Sequence, residues 1–304
     1  MRKVLRDSLL NEQFEKEGFV IIPFLNQVEV AELKQLYFDT LPNSGGNIQS
    51  DDIGAKESIS YDFTFIDKNI DYKRQVYDII TKRFKNQVHE YLEDYKPIIA
   101  NFIRKKPKDG EVPLHQNWAF VDERKSTSVS IWCPLVDSNE QNGTLQVVPG
   151  SHKRFGEFRG PMVPWELNNI KEDIIKNHLK PMNLKAGEAV ILDDSIVHYS
   201  ALNLTDDLRL AIQLILIPQE ETSIHYHLDA ERNPHKIEVL EVDVDFYMQF
   251  NPWKKVENKK ILKQISYKPF QLSIQNFEKG IYAKRIDEAQ ENTSILDKIK
   301  SVFS

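Results

Sequence analysis

AVILDDSIVHYSALNLTDDLRLAIQLILIP (residues 189–218) is two runs of β-forming residues parted by turn-rich segments. Its polar residues fall at spaced positions: His198, then Ser200, then Arg209 eleven residues beyond the histidine. A second histidine, His115, lies in VPLHQNWAFVDE (112–123), a segment of similar character, and Asn117 follows it by two. Residues i and i+2 of a strand project to one face, so His115 and residue 117 can grip one ion while a second strand brings in His198. Two histidines and a carboxylate on one face of a metal suit a mononuclear non-haem Fe(II) centre. Three protein ligands leave three positions for a chelating 2-oxo acid and dioxygen. In this chain the carboxylate position is an amide.

Composition bounds this reading. The 304 residues are 40% hydrophobic, enough for one sizeable core, and are read as a single domain, 1–304. Within it, 1–96 supports a barrel core at 97–242, 153–183 is an insertion, and 243–304 is an extension able to cover the barrel mouth or serve a homodimer contact. The formal charge of −6, without a long block of one sign, argues against a nucleic-acid partner. Arg104, Lys105, Lys106 and Lys108 in NFIRKKPKDGE read as a solvated strand end. The one cysteine, Cys133, sits in the apolar run SIWCPLV and reads as a buried thiol in a reducing compartment. With no apolar stretch suited to a signal peptide or a membrane span, the expectation is a cytoplasmic protein.

Further motifs extend the pattern: EGFVIIPFL (17–25), SVSIWCPLVD (128–137), NGTLQVVPGSH (142–152) and KAGEAVILDDSIVHYSALN (185–203). Together with His115 and Arg209 they resemble the phytanoyl-CoA dioxygenase family of Fe(II)/2-oxoglutarate-dependent oxygenases, over about residues 12–220. The resemblance implies a mainly β fold with flanking helices, a double-stranded β-helix of the jelly-roll, cupin-like kind, with the metal at its open mouth. Carried over by position, it implies His115 and His198 as iron ligands and Arg209 as partner of the distal 2-oxoglutarate carboxylate. Ser200 supports that carboxylate and Trp132 lines the co-substrate pocket. The implied reaction hydroxylates an unactivated C–H bond of a small-molecule substrate with dioxygen, converting 2-oxoglutarate to succinate and CO₂.

The family has Asp where this chain has Asn117. Four readings stand: the amide is a weaker ligand, Asp122 or Glu123 replaces it, the fold persists as a catalytically silent 2-oxoglutarate or metal-binding homologue, or a halide takes the carboxylate's place as in related halogenases, where a much smaller residue than Asn leaves the space. Other residues read as structural. His152 in PGSH suits a turn or core position, His225 and His227 a strand edge in water, Asp193 and Asp194 a turn, and Trp118 the core.

Hydrophobic periodicity predicts helices at 11–17, 27–41 and 72–95, a strand at 19–25 stopped by Asn26, and a loop at 41–54. It also predicts a helical stretch in ELNNIKEDIIKNHL (166–179) and an amphipathic helix at 294–302.

Overall fold

The computed structural model describes residues 2–48, 59–251, 256 and 259–281. The amphipathic helix expected at 294–302 lies outside the described residues. Three helices come early: α1 (Ser8–Glu17), α2 (Gln27–Thr40) and α3 (Ile70–Tyr91). Helix α1 starts three residues before the predicted boundary because Asp7 caps it, its carboxylate accepting from Leu10 N. Asn26, read as a strand stop, also opens α2 through a capping box with Glu29. Helix α3 begins on the Asn69 cap and ends before 95, where the chain has already entered a strand. Removing the first of these caps, Asp7→Ala, should cost about 1 kcal/mol in urea unfolding, with no change in slope.

A six-stranded antiparallel sheet runs in the order β1 (Phe19–Pro23), β8 (Glu188–Asp193), β5 (Val129–Pro134), β10 (Arg209–Pro218), β3 (Tyr95–Lys105), β2 (Asp62–Phe63). Facing strands form a four-stranded sheet in the order β4 (Val112–His115), β9 (His198–Ser200), β6 (Gln146–Val147), β7 (Lys180–Pro181). No hydrogen-bonded strand pair joins these two sheets among the described residues, so the expected barrel is two sheets rather than one closed ladder. A third sheet of β11 (Ile224–Leu228), β12 (Lys236–Glu241) and β13 (Ile261–Ser266) adds part of the C-terminal extension. Two shorter helices follow, α4 (Lys171–Asn177) in the insertion and α5 (Val244–Gln249), and residues 274–281 are helical as well. The helix expected across 166–179 is thus a 3-10 turn at Asn168–Ile170 followed by α4.

Both faces of the large sheet are covered, which is why its central strands read as continuous apolar runs. Ile131 and Cys133 of β5, and Leu210, Ile212 and Leu214 of β10, pack with Phe14, Leu33, Val76, Ile80 and Phe84 under the helices. The alternate residues look the other way. Trp132, Val190, Leu192 and Ala211 join Leu145, Val147 and Ile196 between the sheets. Arg209 and Gln213 share the parity of Ala211, so the strand period carries two polar side chains into the interior. No helix among the described residues is long and apolar enough to cross a membrane.

Candidate metal and co-substrate site

Strands β4 and β9 pair antiparallel with His115 directly opposite His198, and their rings stand 4.1 Å apart between centroids. Each ring is aimed the same way. Nδ1 of His115 is 2.7 Å from Pro113 O, and Nδ1 of His198 is 2.9 Å from Ile196 O. A carbonyl can only accept, so each Nδ1 carries the proton and each Nε2 keeps its lone pair. Burial lowers the pKa of both imidazoles, and His115 adds to the effect on His198. Two neutral rings with free Nε2 atoms, each held by a backbone carbonyl, fit a divalent transition metal.

Strand β4 ends at His115, so Asn117 lies just beyond it and strand alternation does not by itself set its direction. Other contacts do. Arg159 Nε donates to Asn117 O at 2.6 Å, and the intervening Gln116 donates to Phe155 O and Ser195 O while accepting from Trp165 Nε1. The Asn117 amide nitrogen donates to Asp194 Oδ1 at 2.8 Å and to Ser130 Oγ at 3.1 Å. Burial pushes Asp194 up to about 7, with hydrogen bonds from Ser130 and Asn117 opposing. Asp194 is therefore no plain turn residue. Asp193 does serve the turn, accepting from Ser195 N and Ser195 Oγ.

The two carboxylates weighed as replacement ligands are engaged elsewhere. Glu123 forms a bidentate pair with Arg159, both side chains at most 10% exposed, and Asp122 pairs with Arg124. No group of three or more His, Cys, Asp or Glu side chains suited to a metal occurs among the described residues.

A cavity of about 200 Å³ runs from the histidines to Arg209, lined also by Tyr61, Trp132 and Gln213. Arg209 is 1% exposed, and its Nε and Nη1 have no hydrogen-bond partner among the described residues. Its guanidinium carbon lies 5.7 Å from the centre of the Trp132 ring. Burial lowers its pKa to about 9, with Tyr61 alongside.

Lys105, read from the sequence as part of a solvated strand end, is fully buried and is Arg209's register partner across β3 and β10. It shares the strand face of the cavity-lining Asn101 and Ile103, a signal that the basic run around it hides. Its Nζ donates to Ser200 O, Ser200 Oγ and Ala201 O, three acceptors that use all three protons of an ammonium. Burial, then Arg209, push its pKa down to about 6 against those bonds. Ser200 Oγ donates to Gly143 O at 2.7 Å and accepts from Lys105 Nζ and, at 3.5 Å, from Arg209 Nη2. Gly143, at φ 70°, admits this packing: a Cβ there would stand 2.3 Å from Ala201 O and 2.9 Å from Lys105 Nζ.

A wider cleft of about 730 Å³ shares His115, Gln116 and Trp118 with the inner cavity. Its far walls are the insertion, with Phe158 and Trp165, and the C-terminal residues Tyr267 and Phe270. Trp118 is thus more than a core residue. His152 is buried against Gly18 with Nε2 3.0 Å from Glu15 O, a structural seat.

His225 and His227 are buried, not at a wet strand edge. The His225 ring contacts Trp118, Phe246 and Phe250, and burial followed by His227 pushes it down to about 3. A histidine with a folded pKa below its unfolded value lets the unfolded chain bind more protons, so stability falls as pH drops from about 6.5 toward that folded value. His225→Phe should therefore shrink the stability difference between about pH 7 and pH 5 by up to about 2 kcal/mol in urea unfolding.

The phytanoyl-CoA dioxygenase (PhyH) family profile matches residues 14–211. A phytanoyl-CoA dioxygenase domain-containing protein 1 homolog from Dictyostelium discoideum is 26% identical over 257 residues, covering 70% of this chain and 92% of that protein. The Danio rerio phytanoyl-CoA dioxygenase domain-containing protein 1 is 30% identical over 143 residues, 43% of this chain and 48% of the relative. Among solved structures, the non-haem α-ketoglutarate-dependent epimerase SnoN from nogalamycin biosynthesis aligns with TM-score 0.52 at 21% identity, covering 71% of this chain and 83% of its own. The carbocyclase SnoK of the same biosynthesis aligns with TM-score 0.50 at 18% identity, over 72% and 86%. Those two likenesses concern the fold. The profile match takes in His115, Asn117, His198, Ser200 and Arg209 in one run, and the chain belongs to the phytanoyl-CoA dioxygenase (PhyH) family.

Proposed function

We propose that the protein is an Fe(II)/2-oxoglutarate-dependent dioxygenase that hydroxylates an unactivated C–H bond of a small molecule, within a double-stranded β-helix. The observation that carries this is the buried Arg209 guanidinium, whose Nε and Nη1 have no partner among the described residues, in the cavity that is also lined by His115 and His198. A buried guanidinium without an anion is costly, and a second buried basic group, Lys105, lies beside it. A dicarboxylate co-substrate reconciles the two ends: one carboxylate on the Arg209 fork, the 2-oxo acid end toward the histidines. When bound, iron supplies the chelation of the 2-oxo acid and the activation of dioxygen.

His115, His198 and the Asn117 oxygen would hold the iron. Trp132 packs on the guanidinium and fixes its plane, while Lys105 and Ser200 hold the adjacent wall. The apolar walls Phe63, Phe65 and Leu192 keep bulk water from the reacting end. The substrate enters from the wider cleft, the space that reaches His115 from the outside.

Anaerobic titration with Fe(II) and 2-oxoglutarate tests the reading through the visible charge-transfer band of a chelated 2-oxo acid. A saturable band supports it; no band at millimolar iron rejects it. Asn117 favours one second reading, a homologue that binds metal and 2-oxoglutarate without turnover. A band with no succinate formed, with or without candidate substrates, would select that reading.

A further inference from the structure

Resting on that reading, we infer that Asp194 is a positioning residue that makes Asn117 a metal ligand, supplying from one bond further out the negative charge missing at position 117. The orientation of the amide is dictated by its neighbours. Ser130 Oγ gives its proton to Asp194 Oδ1 at 2.6 Å, so both Ser130 Oγ and the Asp194 carboxylate can only accept from Asn117. The amide must present its NH₂ group to them, at 3.1 and 2.8 Å. Its Oδ1 then faces the other way, and Asn117 lines one cavity with His115 and His198.

A neutral amide oxygen is a weak donor to a hard divalent ion. An NH₂ hydrogen-bonded to a carboxylate draws electron density toward Oδ1, because hydrogen bonds in series polarise one another. Carboxylates behind a ligand strengthen it and fix its direction, and removing them typically lowers metal affinity about 10–100-fold. Asp194 alone occupies that place among the described carboxylates: Asp122 and Glu123 are paired with arginines, and Asp193 holds the turn. It is fully buried and belongs to no ion pair among the described residues.

The same geometry predicts that restoring the family's carboxylate alone gains little. Asn117→Asp would set one carboxylate against another at the 2.8 Å contact now made by the amide nitrogen. Exchanging the two residues, Asn117→Asp with Asp194→Asn, would preserve one carboxylate, one amide and the hydrogen bond between them, now with the charge on the ligand.

The test is Co(II) titration of the full chain and the three variants, following visible ligand-field bands, with 2-oxoglutarate binding measured separately by calorimetry. The expected results are a roughly ten-fold or larger loss of Co(II) affinity in Asp194→Asn, no gain in Asn117→Asp, and a double variant that binds more tightly than either single one. Unchanged Co(II) affinity and spectrum in a folded Asp194→Asn overturns the inference. Should that variant not fold, the double variant decides, and Co(II) binding no tighter than in Asn117→Asp overturns it. An unaltered protein that binds Co(II) and 2-oxoglutarate while the variants behave alike defeats this inference and leaves the oxygenase reading standing. Failure of the unaltered protein to bind either defeats both.

Discussion

Arg209→Ala is expected to weaken 2-oxoglutarate binding by roughly a hundred- to a thousand-fold, the loss that follows from removing about 3–4 kcal/mol of a buried charge pair. The magnitude comes from burial. Arg209 is 1% exposed and presents two unpartnered N–H groups, so a carboxylate arriving there meets a fork already stripped of water. Without ligand, the same variant should unfold at nearly the native urea concentration, because the lost packing is offset by removal of a buried positive charge next to Lys105. Arg209→Lys keeps the charge and loses the fork, and is expected to fall between the two. Calorimetry with 2-oxoglutarate in the presence of Mn(II) reads the effect; an affinity within three-fold of the native value would remove Arg209 from the co-substrate site.

Arg159→Met is the second large effect, and it acts on stability and site together. Removing the guanidinium leaves Glu123 buried without its partner, which typically costs about 3–5 kcal/mol. It also frees the carbonyl of Asn117, which Arg159 Nε holds at 2.6 Å. The two effects separate in Arg159→Met/Glu123→Leu: with no charge left stranded, most of the stability should return, but the Asn117 backbone stays unanchored. Urea unfolding and Co(II) titration of both variants check this. Full recovery of Co(II) affinity along with stability would show that Arg159 has no part in placing Asn117.

The parts of this molecule legible in its sequence are those set by local pattern. Apolar spacing in YKRQVYDIITKRF marks Val76, Ile80 and Phe84 as a buried helical stripe, and all three are fully buried under α3. The spacing of His198, Ser200 and Arg209 drew attention to residues that do line one cavity with His115. What the sequence did not disclose depends on which distant strands become neighbours. Lys105 looks solvated within RKKPK until β3 pairs with β10 and sets it opposite Arg209. Asp194 looks like one half of a turn until β8 lies beside β5, bringing Ser130 and, beyond it, Asn117 within reach. The pairing of Glu123 with Arg159 reaches into the insertion, and neither residue carries a local sign of it.

The juxtaposition of Lys105 and Arg209 reaches into how the protein behaves on the bench. A buried guanidinium set beside a buried amine, with neither in an ion pair among the described residues, makes the ligand-free chain the less stable partner in a mass-action equilibrium, and an anion selective for the folded form draws that equilibrium toward it. A dicarboxylate present at about 100 times its dissociation constant contributes about 2.7 kcal/mol to the unfolding free energy. On the proposed function, succinate, malate or citrate chosen as a buffer is expected to act as a hidden ligand that raises the melting temperature and competes with the co-substrate. Purification and assay in a buffer without carboxylates is the condition under which the protein's own affinities are read.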